Sequence, residues 1–97
     1  MNLIVDKRVD QFVDTLTNLD QGRIAGYLDL FRQHQFSLPS KYLKKLDKGL
    51  WELRPGNIRL LLGKVGSRII VVSCFKKKSQ KTPKKEIETA KRRLGEY

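Results

Sequence analysis

The chain has 97 residues, 39% of them hydrophobic, which is enough for one small domain, residues 1–97, with a modest core. The formal net charge is +11, and residues 41–97 hold 17 Lys and Arg against 5 Asp and Glu, so one surface is predicted to bind a polyanion. A single cysteine, and no apolar stretch near the roughly 20 residues of a membrane span, exclude an intramolecular disulfide and a membrane helix, and we expect a soluble, cytoplasmic protein.

Two helices are predicted at the start of the chain. The stretches "DKRVDQFVDTLTNLD" and "DQGRIAGYLDLFRQHQ" place apolar residues at helical spacing, with Asp6 and Asp20 as N-cap candidates. Gly22 and Gly26 weaken the second helix or let it pack closely against a neighbour. Because few residues join the two helices, we expect an antiparallel helical hairpin.

Next, "FSLPSKYLKKLDKG" is interpreted as a loop, because Pro39 breaks a helix and Gly49 marks a turn. Three short apolar runs follow, "LWELRP", "NIRLLLGK" and "RIIVVSCF", separated by turn signals at Pro55-Gly56 and "VGS". They predict a three-stranded antiparallel meander. The last run is apolar at nearly every position, so it is predicted to be the central strand, and Cys74 within it to act as a small buried hydrophobe.

A final helix is predicted to begin at "TP", with Thr82 as N-cap and Pro83 at the first helical position. Ile87, Ala90 and Leu94 form its apolar stripe. The predicted order is α-α-β-β-β-α, with the helices on one face of a small antiparallel sheet, which is an α+β domain.

Motifs for hydrolysis are scarce. The one histidine, His34, lies on a predicted helix, and the sequence contains neither a glycine-rich phosphate loop nor the clustered carboxylates of a metal nuclease. We therefore expect metal-free chemistry without a cofactor. Arg59, the only charged residue in "NIRLLL", is either an edge arginine on a solvated face or a guanidinium directed at a phosphate.

RNA can be cleaved without a metal, because its own 2′-OH can attack the adjacent phosphate. The protein then has to align the backbone, stabilise the charged phosphorane and move protons. Lys and Arg serve the charge, and a lysine with a lowered pKa or a tyrosine serves the proton transfer. The basic half of this chain has these residue types.

Several motifs together resemble a known superfamily: "LWELR", the "IR" of the next strand, an apolar strand ending in "FKK", and "QKTP" followed by "EI" and later by Ala and Arg. Over residues 41–93 the chain resembles the RelE/ParE toxins of type II toxin–antitoxin systems, in their HigB-like, phage-related branch. The resemblance implies a RelE-like fold, in which "NLIV" supplies at most a short extra N-terminal strand. It also implies a ribosome-dependent endoribonuclease that cleaves messenger RNA in the A site.

The resemblance also implies site residues. Arg59 matches the strand arginine near the scissile phosphate, Lys76 and Lys77 match the basic position after the third strand, and Tyr97 is the tyrosine available for proton transfer near the C-terminus. The residues expected to contact the messenger or the ribosome are Lys44, Lys45, Lys48, Arg54, Lys78, Gln80, Lys81 and Thr82.

The partners implied are a HigA-like antitoxin with a helix-turn-helix domain, the ribosome and messenger RNA, and operator DNA only through the antitoxin complex. Three alternatives stay open. ParE-like members share the fold and poison gyrase, a plain RNA- or DNA-binding module would use the same basic surface, and a degenerate toxin would keep the fold without activity.

Overall fold

A mixed β-sheet in the spatial order β1-β5-β4-β3-β2 forms the centre of the structure, a computed structural model that describes residues 2–97. Strand β1 pairs with β5 in parallel, and all other neighbouring strands are antiparallel. The elements in chain order are β1 (Asn2–Val5), α1 (Lys7–Val13), α2 (Asn18–His34), a short 3-10 turn (Gln35–Ser37), β2 (Leu43–Asp47), β3 (Leu50–Leu53), β4 (Ile58–Val65), β5 (Arg68–Lys76) and α3 (Lys84–Leu94).

The predicted meander of β3, β4 and β5 is confirmed, and two further strands extend it. The loop predicted around residues 43–47 is wrong, because this stretch forms the edge strand β2. Its lysines lie at exposed positions, as is common in edge strands. Because two lysines follow one another, the sequence lacks the apolar–polar alternation that would predict a strand. The short N-terminal strand is present as β1. The middle strand of the sheet is β4, not β5 as the apolar run predicted.

Helices cover both faces of the sheet, so the prediction that they pack on one face is wrong. We call these the α2 face, which α1 and α2 cover, and the α3 face. Strands β4 and β5 are buried on both sides, which explains their nearly continuous apolar sequence. The buried α2-face cluster comprises Val9, Ile24, Phe31, Leu38, Leu43, Leu53, Ile58, Leu60, Leu62, Ile69 and Val71. The buried α3-face cluster comprises Leu50, Leu61, Ile70, Val72 and Ala90.

The helix caps agree with the sequence only in part. The Asp6 side chain caps α1 as predicted, because it accepts the backbone N–H of the second helical residue. Helix α2 is capped by Thr17 rather than Asp20, whose own N–H donates to the Thr17 hydroxyl at 3.1 Å. Pro83 is the N-cap of α3, one residue later than predicted, and no side chain caps that helix. The hydroxyl of Thr82 is therefore free to bind elsewhere.

Gly26 offers a test of the helical packing. A Cβ at Gly26 would meet nothing within 4 Å, so close packing does not require this glycine. We expect Gly26→Ala to raise the free energy of unfolding by about 0.5–1 kcal/mol, because alanine is the better helix former. The measurement is urea unfolding of the purified protein.

The matched control is Gly63→Ala in β4. A Cβ there would lie 2.5 Å from Leu94 Cδ1 and 2.7 Å from the backbone oxygen of Gly49. This variant should be less stable than the parent protein, since the Gly49 backbone cannot move away cheaply. The same direction of change in both variants would contradict this account of the two positions.

Candidate functional site

A buried carboxylate, Glu52, lies on the α3 face, where it is only 2% exposed. The alternation of β3 directs Trp51 and Leu53 into the α2-face core and Glu52 to the opposite side. Glu52 Oε2 accepts a hydrogen bond from Thr82 Oγ1, in the segment that leads into α3. Because an ionised carboxylate is buried only at high cost unless it is paired, the groups around Glu52 define a site.

Arg59, in β4, is the second member of this site and is only 7% exposed. Its Nη1 donates to the backbone oxygens of Gly56 and Ile58, both at 2.8 Å. Its Nε lies 3.9 Å from Glu52 Oε1. Burial lowers the pKa of Arg59, and the Glu52 charge opposes that shift. The interpretation of Arg59 as an edge arginine on a solvated face is wrong, because it lies on the middle strand and is buried.

Arg54 completes the set, with its Nε 3.4 Å from the same Oε1 atom of Glu52. Two guanidinium groups thus share one carboxylate oxygen. The side chain of Arg54 is 25% exposed, whereas that of Arg59 is 9% exposed. We call Glu52, Arg54, Arg59 and Thr82 the arginine cluster. Its two cations and one anion leave a net positive charge, and the Arg54 side chain is partly exposed, which suits a phosphate.

Lysines flank the arginine cluster on the α3 face. Lys44 in β2 lies directly opposite Glu52 and therefore on the same face of the sheet. Lys77 follows β5, and its backbone N–H donates to the Asn57 oxygen at 2.7 Å. Phe75, two residues before Lys77, pairs with Arg59 and shares its face of the sheet. The strand alternation therefore puts Lys77 on that face too.

Other predicted site residues point away from the arginine cluster. Lys76 lies opposite Ile58, whose side chain is in the α2-face core, so Lys76 belongs to that face. Lys45 lies opposite Trp51, with its Nζ 5.7 Å from the indole centroid. Lys48 lies in the turn between β2 and β3. The lysine pairs that are adjacent in sequence are thus divided between the two faces.

The segment from Lys78 to Lys81 is exposed and connects β5 to α3. Ser79 Oγ donates to the backbone oxygen of Lys81 at 3.1 Å, which shapes this turn. Lys78, Gln80 and Lys81 are exposed to solvent, and their contact with a messenger stays a prediction. Thr82 instead turns inward to Glu52.

Tyr97 lies apart from the arginine cluster. Its hydroxyl donates to Asp6 Oδ2 at 2.5 Å, and Arg8 donates to both oxygens of the same carboxylate, at 2.9 and 2.8 Å. The backbone N–H of Asp6 donates to the Val71 oxygen at 2.9 Å, so this ion pair sits where β1 ends. The hydrogen bond to Asp6 raises the pKa of Tyr97, which disfavours the phenolate form.

Glu52 is a site residue that we did not predict from the sequence. Its signal was available, because Glu52 and Arg54 occupy alternate positions of "LWELR", and a carboxylate between apolar neighbours needs a cationic partner. Burial raises the pKa of the Cys74 thiol to about 12, in keeping with the predicted role as a small hydrophobe. Within residues 2–97, no helix is long and apolar enough to cross a membrane, and no group of three His, Cys, Asp or Glu is placed to hold a metal ion.

Comparison with known proteins yields one family and one fold. Residues 11–95 match the family described as "Phage derived protein Gp49-like (DUF891)". Among solved structures, a chain of the archaeal RelE–RelB complex from Pyrococcus horikoshii OT3 aligns with a TM-score of 0.66 and 17% identity, over 82% of this chain and 97% of that chain. The two chains share a fold. No curated protein sequence matches this one.

The pairing of Glu52 with Thr82 can be tested by a double-mutant cycle. Glu52→Gln removes the charge that two arginines share, so we expect it to lower the free energy of unfolding by about 1–3 kcal/mol. With Thr82→Val in addition, the loss should be smaller than the sum of the two single losses, since Glu52→Gln weakens the same charge-assisted hydrogen bond that Thr82→Val removes. Glu88→Gln, at an exposed position on α3, is the control. Strict additivity would contradict the observed contact.

A second prediction concerns pH. Arg8 holds the pKa of Asp6 well below its usual range. The ionised Asp6 therefore contributes stability above the unfolded-state pKa of about 3.9, and this contribution is lost as the pH falls toward the folded-state pKa. Asp6→Asn, which still can cap α1, should be less stable than the parent protein at pH 7. The difference should narrow below about pH 4.

Thermal unfolding at several pH values measures this effect. Asp14→Asn serves as the control, because Asp14 is exposed at the other end of the same helix. A stability difference between Asp6→Asn and the parent protein that stays constant from pH 7 to pH 3 would refute the assignment of the charge to this ion pair.

Proposed function

Because the chain belongs to the Gp49-like family of phage-derived proteins and has a RelE-like fold, we propose that it is the toxin of a type II toxin–antitoxin system and a ribosome-dependent endoribonuclease. Family and fold confirm the resemblance to the RelE/ParE superfamily. The observation that carries the proposed activity is the arginine cluster, in which the guanidinium groups of Arg59, in β4, and Arg54, directly after β3, lie beside the same carboxylate.

The proposed reaction is metal-free cleavage of messenger RNA in the ribosomal A site. The 2′-OH gives up its proton as it attacks the adjacent phosphorus, the bond to the 5′ oxygen breaks, and that oxygen takes up a proton, so the products are a cyclic phosphate and a 5′-hydroxyl. Negative charge accumulates on the phosphorane oxygens, and preorganised cations there lower the barrier. Arg59 and Arg54 supply this charge. Glu52 holds both guanidinium groups in place, so little reorganisation is needed when the phosphate arrives.

The surrounding lysines are proposed to hold the RNA backbone. Lys44 and Lys77 extend the positive surface on either side of the arginine cluster, and the exposed segment with Lys78, Gln80 and Lys81 continues it. Lys76, Lys45 and Lys48 lie off this face and are assigned to the ribosome or to the protein partner. In this proposal Tyr97 is a structural residue, because its hydroxyl is bound to Asp6.

The proposed partner is an antitoxin with a helix-turn-helix domain, of the HigA type, encoded beside this chain. A partner with exposed carboxylates would neutralise the basic surface and exclude the messenger. Operator DNA would then be bound by the antitoxin in the complex, since toxin and antitoxin of such systems commonly repress their own operon.

Arg59 provides the sharpest test of the proposed activity. Arg59→Lys keeps a positive charge but loses the planar fork, so we expect cleavage on purified translating ribosomes to be about ten- to a hundredfold slower, the cost of one charge-assisted contact. Arg59→Ala should abolish growth arrest in bacteria. Messenger 5′ ends, mapped after induction, report cleavage, and circular dichroism reports folding.

Arg92→Ala is the matched control, since Arg92 is exposed on α3. It should arrest growth like the parent protein. Full toxicity of a folded Arg59→Ala protein would contradict the assignment of Arg59 to the active site. Growth arrest with DNA damage and intact messengers would replace the ribonuclease proposal by gyrase inhibition. A parent protein that neither arrests growth nor cleaves RNA would identify a degenerate toxin.

A further inference from the structure

A cleft of about 580 Å³ opens beside the end of β5, between α1 and the start of α3. Its volume lies within the range of about 300–1,000 Å³ that is typical of small-molecule sites. No member of the arginine cluster lines it. The reaction proposed above takes place at the arginine cluster, so the cleft is left for another ligand.

The walls of the cleft are apolar and partly aromatic. Phe12 and Leu16 contribute from α1, and Phe75 contributes from β5. All three side chains are half-buried, so they are held in place by the protein and still meet solvent. Two phenyl rings on different elements favour a planar aromatic ligand over a flexible chain, because ring stacking adds to the burial of apolar surface.

Three lysines give the cleft a positive charge. Lys76 ends β5, Lys78 follows it, and Lys85 lies in the first turn of α3. Within residues 2–97, none of the three forms an ion pair. Their charge is therefore available to an anion. A nucleoside diphosphate carries about three negative charges at neutral pH, whereas one nucleotide of an RNA strand carries about one. Three lysines around one aromatic site thus suit the free diphosphate better.

Glu86, the one carboxylate of the cleft, provides a means to select the base. Ser73 Oγ donates to its Oε1 at 3.4 Å, and the described part of the chain supplies no donor to its Oε2. An ionised carboxylate only accepts hydrogen bonds. Guanine offers it two adjacent donors, N1–H and N2–H, whereas adenine has an acceptor at N1. Glu86 therefore favours guanine over adenine.

We propose that the cleft binds a free guanine nucleotide, with guanosine 5′-diphosphate (GDP) as its simplest form. The base stacks between Phe12 and Phe75, its N1–H and N2–H groups donate to Glu86, and the diphosphate meets the three lysines. The inference concerns binding alone and does not depend on the proposed ribonuclease activity.

A nucleotide in the cleft would lie next to the arginine cluster. Phe75 pairs directly with Arg59 across β4 and β5, and Pro83 of the cleft follows Thr82 of the arginine cluster. Lys78 belongs both to the cleft and to the surface proposed to hold RNA. Where the proposed function holds, the nucleotide and the messenger therefore compete for Lys78.

Isothermal titration calorimetry on the purified full chain tests the inference, with GDP, ADP and pyrophosphate as probes in about 150 mM salt. We expect GDP to bind one-to-one with a Kd of about 1–100 µM. ADP loses the hydrogen bonds to Glu86 and pyrophosphate loses the stacked base, so both should bind at least about tenfold more weakly. Because ADP carries the same charge as GDP, equal affinities for the two would show binding by charge alone and overturn the proposal.

Glu86→Gln separates recognition of the base from charge. The glutamine can still accept the Ser73 hydroxyl, but its amide N–H groups now suit adenine N1. We expect the preference for GDP over ADP to fall to within about twofold. Glu88→Gln is the matched control, because it makes the same change of charge at an exposed position outside the cleft and should keep the preference. An unchanged preference in a folded Glu86→Gln protein would overturn the proposed site.

NMR on the unmodified protein locates the ligand without a mutation. GDP should shift the amide signals of Thr15, Lys76 and Lys78, which line the cleft. The amide of Lys64, at the opposite end of the hairpin of β4 and β5, should keep its position. Shifts confined to residues 52–59 would place the nucleotide at the arginine cluster and overturn the cleft as its site.

Failure of this inference and failure of the proposed function give different results. A protein that arrests growth but does not bind GDP overturns the nucleotide site and leaves the toxin function standing. A protein that binds GDP but neither arrests growth nor cleaves RNA does the reverse. If a short UG-repeat RNA binds through Glu86 and GDP does not bind, the cleft belongs to RNA and the free nucleotide is excluded.

Discussion

Burial of β4 and β5 on both faces is the constraint on which the rest of the structure depends. Two strands with helices on either side accommodate mainly apolar residues, as "LLLG" and "IIVV" show. A polar side chain in these strands must find a partner within the protein. Ser73 binds Glu86 of α3, and Arg59 binds two backbone oxygens and faces Glu52. The site therefore forms where the cover of α3 ends, because polar residues are first tolerated there.

The arginine cluster separates two kinds of positive charge. Arg59, in β4, and Arg54, directly after β3, both lie beside the buried carboxylate of Glu52, so they lose little freedom when an anion binds. The exposed lysines around them are long and mobile, and each ordered contact costs side-chain entropy. A few held cations can thus direct the chemistry at one phosphate, whereas the many mobile ones raise the affinity for any polyanion, with a strong dependence on salt.

The sequence predicts the parts of the fold that depend on local pattern. The helices and the meander of β3 to β5 follow from periodicity and turn residues. The N-cap role of Asp6 follows from its side-chain chemistry. Three features follow from tertiary contacts and could not be read locally. Strand β2 is stabilised by β3 although its lysines hide the pattern, the parallel pairing of β1 is long-range, and α3 crosses to the second face. At the site, the sequence predicts Arg59 but not its partner Glu52. The role of Glu52 follows from its burial, which the local sequence does not show.

The parallel pairing of β1 with β5 has a consequence for synthesis of the chain. Asn2–Val5 pairs with Arg68–Val71, so the first strand made has no partner until nearly all the others exist. Helices α1 and α2 form from local hydrogen bonds, and the β2–β5 meander pairs strands that are neighbours in sequence, so these elements can form earlier. The nascent protein thus carries an unpaired apolar strand through most of its translation. The pairing of β1 with β5 can therefore complete the sheet only after β5 has been made.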